Sequence, residues 1–279
     1  MTLAAAPIVG TNETTGAERI RAAFGRARDE GRIGLVPYVV AGYPDADTSF
    51  RAAIACADAG ADLLEIGLPY SDPLADGATL QRASAAALRS GATLEGSLDL
   101  VRRIGAERPE LPLVPMGYAN QVLGGGDGGA VANRLAEAGA SGLIVADLTP
   151  DEGAPFEAVA RLAELAVVYI VAPTTPPERR AMIAGRSGGF LYCVSLVGVT
   201  GARTSLPASV TRLVHQVTSV SPVPVAVGFG VSKPVHVRAL GRAGADGVIV
   251  ASALVDAMGP DGRDVPALEK LVRSLRTAS

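Results

Sequence analysis

Hydrophobic positions along the chain form short β-branched runs that alternate with longer helical patterns rich in Ala, Leu and Arg. This alternation is typical of repeated βα units, which build a parallel sheet. We predict eight strands, at Ile33 to Ala41, Asp62 to Ile66, Leu113 to Gly117, Leu143 to Ala146, Val167 to Ala172, Phe190 to Val194, Val223 to Val227 and Gly247 to Val250. Eight strands within roughly 250 residues favour a closed (β/α)8 TIM barrel over a doubly wound sheet.

The start of the chain has a different composition. Residues 1–16 are rich in Thr, Gly and Asn and are predicted to be a flexible N-terminal segment. A helix that ends near Glu30 follows, and we expect it to cover the floor of the barrel. No linker or shift of composition indicates a second domain, so residues 17–279 are predicted to form one barrel domain.

A short internal repeat supports this prediction. The sequences AGAD, AGAS and AGAD precede the strand segments LLEIGLP, GLIVADL and GVIVASAL, and each glycine is typical of a helix C-cap. The repeat aligns Glu65 with Ile144 and Ile249, which places a carboxylate where the other two units have a branched apolar side chain. Because an unpaired charge in a buried strand is costly, Glu65 is a candidate for the active site at the carboxyl ends of the strands.

Composition excludes several classes of function. With 48% apolar and 19% charged residues, the chain is neither disordered nor a disulfide-stapled miniprotein. The net charge of -3 and the 4% of aromatic residues argue against a nucleic-acid partner. No run approaches the roughly 20 apolar residues of a membrane span, and the start of the chain lacks a signal-peptide pattern. We therefore expect a cytoplasmic protein without a membrane partner.

The scarce residue types limit the chemistry further. Two cysteines, Cys56 and Cys193, fit reduced core thiols, and the two histidines, His215 and His236, are interpreted as solvated or capping residues. We expect no metal site. Neither lysine, Lys233 or Lys270, stands at a strand end where a Schiff-base lysine would project. An enzyme of this composition is expected to use carboxylates and backbone amides.

A long loop follows Glu65, with the sequence GLPYSDPLADGATLQRAS up to the next helix. Long, stiffened βα loops are commonly functional, so Asp76 is predicted to meet Glu65 over the mouth of the barrel, the former on a movable loop and the latter on a rigid strand. The alternative is that Asp72 and Asp76 are only turn and cap residues.

A second candidate site follows the last two strands. Gly228, Phe229 and Gly230 come after one strand and Ala251 and Ser252 after the next, which is where such barrels present amides to a phosphate. The alternative is a pair of helix-entry turns with Ser232 and Ser252 as N-caps. The segment from Ser195 to Pro207, with Thr200, Gly201 and Arg203, is predicted to be a lid, and the alternative is a disordered segment without function. The glycine-rich stretch from Gly124 to Gly129 is predicted to be a surface linker.

Four segments in this order, EIGLPYSDPLADG, YCVSLVGVTGAR, PVAVGFGVS and IVASALV, resemble the tryptophan synthase alpha chain from about Ile33 to Val255. The resemblance implies a (β/α)8 barrel that cleaves indole-3-glycerol phosphate to indole and glyceraldehyde 3-phosphate by retro-aldol chemistry. It also implies no cofactor in this chain, and docking in an alpha2-beta2 heterotetramer on a beta subunit that holds pyridoxal phosphate.

The resemblance also assigns roles to residues. Glu65 matches the acid-base glutamate of the family and Asp76 its second catalytic carboxylate. Glu65 would protonate C3 of the indole and share in removing the glycerol hydroxyl proton, while Asp76 would hold the ring N-H. Residues expected to contact the indole or lie near the substrate are Tyr38, Leu80, Tyr118, Tyr192 and Phe229. Residues expected at the phosphate are Gly201, Gly228, Gly230, Ala251 and Ser252, and Thr200 in the lid is expected to bind the substrate.

Three features depart from the family pattern. Ala251 replaces a usual glycine beside the serine, Ala78 replaces a usual proline, and the SLVG start of the lid lacks the arginine of some members. An alanine keeps its amide but adds a Cβ beside the phosphate, which predicts lower affinity. The alternatives are a free-standing indole-releasing lyase, a non-catalytic barrel subunit that regulates a beta partner, and another phosphate-binding barrel.

Overall fold

The computed structural model describes residues 15–124, 126, 128–194, 207–228 and 230–279. Its strands are β1 (Gly34–Val40), β2 (Leu64–Gly67), β3 (Leu113–Gly117), β4 (Gly142–Val145), β5 (Ala166–Val168), β6 (Ile170–Val171), β7 (Leu191–Val194), β8 (Val225–Gly228) and β9 (Gly247–Val250). Its helices are α1 (Gly16–Asp29), α2 (Ala46–Asp58), α3 (Ala78–Arg89), α4 (Leu94–Glu107), α5 (Ala119–Leu123), α6 (Gly129–Glu137), α7 (Pro150–Leu162), α8 (Pro177–Arg186), α9 (Ala208–Thr218), α10 (Pro234–Arg242), α11 (Ser252–Ala257) and α12 (Val265–Arg276).

The strands form one parallel sheet that closes on itself. Its order is β5, β4, β3, β2, β1, β9, β8, β7, β6, and all of these pairings are parallel. The two end strands, β5 and β6, are consecutive in the chain and separated only by Tyr169. The predicted barrel is therefore confirmed, with β5 and β6 as the two parts of the fifth predicted strand.

A side chain causes the break at Tyr169. The Tyr169 amide donates to Oγ of Ser187 at 3.0 Å instead of to a strand, while its carbonyl accepts from the Tyr192 amide at 3.0 Å. The ladder to β4 therefore ends before this residue and the ladder to β7 begins with it. Of the other predicted strands, Leu113–Gly117 and Gly247–Val250 coincide with those of the structure, and the rest shift by about one or two residues at an end, which is ordinary for such boundaries.

Helix α1 closes the floor of the barrel, as predicted. Ile20 and Phe24 lie in the same buried cluster as inward-facing strand residues such as Ile144 and Ile249. A Cβ on Gly247 would lie 2.5 Å from the Phe24 ring, so the glycine makes room for this plug. The helix begins at Gly16, one residue before the predicted boundary of the flexible segment, and residues 1–14 lie outside the described residues.

The three repeated glycines follow their helices as expected. Gly60, Gly139 and Gly244 have φ of 98°, 96° and 91°, a left-handed conformation that favours glycine. The amide after each glycine donates to the carbonyl five residues back, which is the pattern of a Schellman motif. Each helix therefore reverses directly into the next strand. Because the three units share this turn, Glu65 occupies the same strand position as Ile144 and Ile249 in the other two units.

Several smaller expectations can be placed on the fold. Cys56 in α2 and Cys193 in β7 are buried free thiols, as predicted. The predicted glycine-rich linker is the turn between α5 and α6, of which residues 125 and 127 lie outside the described residues. The predicted lid also lies outside them, except for Pro207, which is the N-cap of α9. Among the described residues, no helix is long and apolar enough to cross a bilayer.

Candidate active site

A cavity of about 770 Å³ opens at the carboxyl ends of the strands. It contains most of the predicted site residues that the structure describes, namely Tyr38, Glu65, Asp76, Leu80, Tyr192, Gly228, Gly230, Ala251 and Ser252. Tyr118 reaches the cavity through its contact with Asp76. Thr200, Gly201 and Phe229 lie outside the described residues. The folding of the barrel thus brings the two predicted sites into one cavity.

Glu65 lies inside this cavity on β2, between β1 and β3. The residue is 1% exposed, and neither of its carboxylate oxygens has a hydrogen-bond partner in the part of the chain that the structure describes. Burial and the nearby negative charge of Asp76 raise the pKa of Glu65 to about 8, because both disfavour its ionised form. At neutral pH the carboxyl group therefore retains its proton, which is the state required of a general acid.

Asp76 is held by a residue from the next strand. Its Oδ2 accepts a hydrogen bond of 3.1 Å from the hydroxyl of Tyr118, which follows β3. The amide of Ala75 donates to the same hydroxyl at 3.0 Å. Burial raises the pKa of Asp76, while the hydrogen bond from Tyr118 opposes that shift. Among the described residues no hydrogen bond is made to the second oxygen of Asp76, Oδ1, because Tyr118 engages only Oδ2.

The loop that carries Asp76 is fastened at several points. Ser84 Oγ accepts from the amide of Tyr70 at 2.9 Å and donates to its carbonyl at 3.1 Å. Gln121 donates to the carbonyl of Pro69 at 2.8 Å, and the Tyr70 and Tyr118 rings stack with centroids 5.1 Å apart. The loop, predicted to be movable, is bonded in this structure to both α3 and α5.

Of the alternative that Asp72 and Asp76 are only turn and cap residues, the cap role is wrong. Both do take part in turns, since the Asp76 amide donates to the Pro73 carbonyl at 3.0 Å and the Asp72 carbonyl accepts from the Leu74 amide at 2.9 Å. The N-cap of α3 is Gly77, and no side chain caps this helix. Ala78 is the first helical residue, a position that accepts alanine as readily as proline. The departure of Ala78 from the family pattern therefore leaves the start of the helix intact.

Gly228 has a steric reason to be glycine. A Cβ on this residue would lie 2.6 Å from the ring of Tyr192 and 2.7 Å from its hydroxyl oxygen. The sequence predicts Gly228 as a phosphate contact only. The structure adds that Gly228 makes room for Tyr192, which projects from β7 into the same cavity.

The turns after β8 and β9 differ from the capping alternative. Lys233 is the N-cap of α10 and Ala251 the N-cap of α11, and neither helix has a side-chain cap. The proposed N-cap roles of Ser232 and Ser252 are therefore wrong. Ser252 is instead the first residue of α11 and, like Gly230, faces the cavity.

The sequence analysis does not predict several residues that line or support the cavity. Met116, Ile170 and Ile249 give the cavity an apolar wall, and Asp256 adds a carboxylate at its edge. His236, interpreted as solvated or capping, is 5% exposed, and its Nδ1 accepts from the Ser232 amide at 3.4 Å, so it supports the turn after β8. The supporting role of His236 could have been predicted from its position in the first turn of the helix that follows a candidate site loop. Within the described ranges, no cluster of His, Cys, Asp and Glu could hold a metal ion.

The raised pKa of Glu65 leads to a stability prediction. A carboxyl whose pKa is higher in the folded than in the unfolded chain binds its proton more tightly when folded, so stability falls as pH rises from about 5 to about 8. Glu65→Gln removes this loss. The free energy of unfolding of the variant minus that of wild type should increase by up to about 1.4 kcal/mol per pH unit over that range, as measured by urea unfolding. A difference that does not change with pH would contradict the buried, protonated state.

Comparison with known proteins places the chain among close relatives. A family model described as tryptophan synthase alpha chain matches residues 24–277. The tryptophan synthase alpha chain of Roseiflexus sp. (strain RS-1) is 45% identical over 260 residues, covering 92% of this chain and 99% of the relative. That of Gloeobacter violaceus is 44% identical over 266 residues, covering 94% and 95%. A chain in a structure of Mycobacterium tuberculosis tryptophan synthase superposes with a TM-score of 0.85 at 39% identity, covering 93% and 97%.

Proposed function

The chain belongs to the tryptophan synthase alpha chain family, and from this premise we propose that Glu65 and Asp76 carry out its chemistry. As a member it is a carbon-carbon lyase of tryptophan biosynthesis that cleaves indole-3-glycerol phosphate. The alpha chain of this family uses no cofactor of its own, and pyridoxal phosphate belongs to the beta subunit.

Glu65 is the proposed general acid. Cleavage of the bond between the indole ring and the glycerol chain becomes easier once C3 of the indole is protonated, because the ring then accepts the bonding electrons. Glu65 gives this proton and, as a carboxylate, helps to remove the hydroxyl proton of the glycerol carbon as the aldehyde forms. The single observation that carries this proposal is the buried, unpartnered carboxyl group with its pKa raised to about 8.

Asp76 is the proposed electrostatic partner of the ring. Protonation at C3 leaves positive charge on the indole nitrogen, which a carboxylate near the N-H stabilises. Tyr118 holds one oxygen of Asp76 and leaves the other for that N-H. Tyr38, Leu80, Tyr118 and Tyr192 are proposed to wall in the indole ring, with Phe229 joining them from outside the described residues.

The phosphate is proposed to bind at the turns after β8 and β9. Gly228, Gly230, Ala251 and Ser252 line the same cavity as the carboxylates and offer backbone amides and one hydroxyl. Gly201 is proposed as a further phosphate contact, and Thr200 as a further residue that binds the substrate. A substrate bound at these turns extends its indole toward Glu65 and Asp76.

The experiment that tests this function is product analysis. The purified chain should convert indole-3-glycerol phosphate to equal amounts of indole and glyceraldehyde 3-phosphate, without added pyridoxal phosphate and faster with a beta subunit. Equal rates with and without the beta subunit would favour a free-standing lyase. No turnover in either case, together with activation of the beta subunit, would overturn the proposal in favour of a regulatory barrel.

The phosphate site can be tested with a matched pair of variants. Gly230 has φ of 46°, a conformation that both aspartate and asparagine tolerate better than most residues. Gly230→Asp should raise KM at least about tenfold relative to Gly230→Asn, because only aspartate places a like charge beside the phosphate. Ala251→Gly should keep or tighten the binding of glycerol phosphate in calorimetry. Equal affinities of the Asp and Asn variants would mean that the phosphate binds elsewhere.

The chain is also proposed to work in an alpha2-beta2 complex with a beta subunit. The similar solved chains include those of Mycobacterium tuberculosis tryptophan synthase. We propose that neither nucleic acid nor a membrane is a partner of this chain. A cytoplasmic location is proposed as well, supported by the two buried free thiols.

A further inference from the structure

Glu65 lacks a donor for the charge it acquires in the reaction. Both carboxylate oxygens are buried and have no hydrogen-bond partner among the described residues, which suits a protonated group. Once the proton has moved to the indole ring, the same site holds an ionised carboxylate. A buried charge without a donor is strongly destabilised, so a nearby hydroxyl that can turn toward it would lower the cost of proton transfer.

Two tyrosines of the cavity, Tyr38 and Tyr192, interact electrostatically with Glu65, and a third, Tyr118, is engaged by other groups. The Tyr118 hydroxyl donates to Asp76 and accepts from Ala75. The Tyr192 ring lies over Gly228 on β8, which is three strands from β2 in the sheet, and its hydroxyl oxygen is 2.7 Å from where a Cβ of that glycine would stand. Tyr192 therefore interacts with the charge of Glu65 while its ring packs against a different strand.

The Tyr38 hydroxyl lies over β2, the strand that carries Glu65. Tyr38 pairs with Glu65 across β1 and β2. The Tyr38 hydroxyl oxygen lies 1.8 Å from where a Cβ of Gly67 would stand, so only glycine can occupy that position beneath the ring. Gly67 is two residues after Glu65 on the same strand and therefore on the same face of it. The hydroxyl donates to none of the described residues and faces the cavity.

We propose that Tyr38 is a positioning residue whose hydroxyl donates a hydrogen bond to the ionised carboxylate of Glu65 after proton transfer. This inference rests on the proposed role of Glu65 as the acid and extends it. The glycine at position 67 is part of the arrangement, because it lets the phenol lie against β2 beside the carboxylate.

The other groups around Glu65 do not supply this donor. The titratable groups that interact with it are Tyr38 from β1, Asp76 from the loop after β2 and Tyr192 from β7, whereas the hydroxyl of Tyr118 is bonded to Asp76. Asp76 is an acceptor when ionised, and its charge opposes ionisation of Glu65. The remaining strand positions at the cavity are apolar or glycine, such as Met116, Ile170 and Ile249.

The test compares phenylalanine variants, which keep the ring and remove the hydroxyl. Tyr38→Phe should move the alkaline limb of the kcat profile to higher pH by about one unit, the size expected from losing one hydrogen bond to a charged group. At pH 7 kcat should fall about tenfold while KM stays within about twofold, because the ring wall is retained. Tyr192→Phe should leave the position of the limb unchanged. Tyr43→Phe, which alters a half-buried tyrosine outside the cavity, is the control for folding.

A second measurement does not depend on activity. The infrared band of the protonated carboxyl group that disappears in Glu65→Gln should titrate about one pH unit higher in Tyr38→Phe than in wild type. A superimposable titration and kcat profile would overturn the role of Tyr38 while leaving Glu65 as the acid. A shift in Tyr192→Phe but not in Tyr38→Phe would overturn it as well. Full activity of Glu65→Gln would instead overturn the proposed function itself.

Discussion

Glu65→Gln should lower the rate of indole release by about 10² to 10⁴-fold, the usual loss when a general acid is removed. Glutamine has the same shape but cannot release a proton to C3 of the indole. Because the carboxyl group is protonated and unpartnered in the folded chain, its replacement by an amide should preserve the fold and the binding of glycerol phosphate.

The measurement is steady-state indole release, paired with calorimetry of glycerol phosphate binding. Asp256→Asn is the matched control, since Asp256 is another carboxylate at the edge of the same cavity without a proposed role in the chemistry. The control should stay within a few fold of wild type, as expected for a residue outside the reaction. If the Glu65→Gln variant keeps more than about a tenth of wild-type turnover, Glu65 is not the general acid.

Asp76→Asn should lower kcat by about 10² to 10³-fold, because the charge that stabilises the cationic indole is lost in the transition state. Asparagine can still accept the hydrogen bond from Tyr118, so the loop should keep its place. The affinity for glyceraldehyde 3-phosphate should change little, since the phosphate contacts lie on the turns after β8 and β9.

The affinities of the Asp76→Asn variant for glyceraldehyde 3-phosphate and for an indole-containing analogue should therefore both be measured. Asp72→Asn is its control, because Asp72 lies on the same loop and is exposed, and among the described residues its carboxylate accepts only from the hydroxyl of Ser71, at 2.5 Å. A parallel loss of affinity for glyceraldehyde 3-phosphate and for an indole-containing analogue would show that the loop has collapsed, and the proposed electrostatic role would then have no support from the variant.

The barrel could be predicted because its signals are local. Each strand is a short apolar run, and each of the three repeated glycines adopts the left-handed conformation that its place after a helix requires. Glu65 could also be found locally, because the repeat compares it directly with Ile144 and Ile249. A charge at an otherwise apolar, inward-facing position is visible in the sequence alone.

Contacts across the barrel could not be predicted from local patterns. Tyr118 is 42 residues from Asp76, and nothing in either segment shows that their side chains meet. The break at Tyr169 depends on Ser187, which lies 18 residues later. The tight fit of Tyr38 against Gly67 likewise needs the register of β1 and β2, which only the closed sheet supplies.

The most direct test of the central claim is the pH dependence of kcat/KM for indole release by the purified wild-type chain, because kcat/KM reports ionisations of the free enzyme. If the proton that Glu65 holds is the one transferred to the ring, kcat/KM should fall as pH rises through about 8, where that carboxyl group ionises in the ligand-free chain. A kcat/KM that stays level to the highest pH at which the chain is folded, or that rises through this range, would contradict the account, because a Glu65 without its proton would then be sufficient for cleavage.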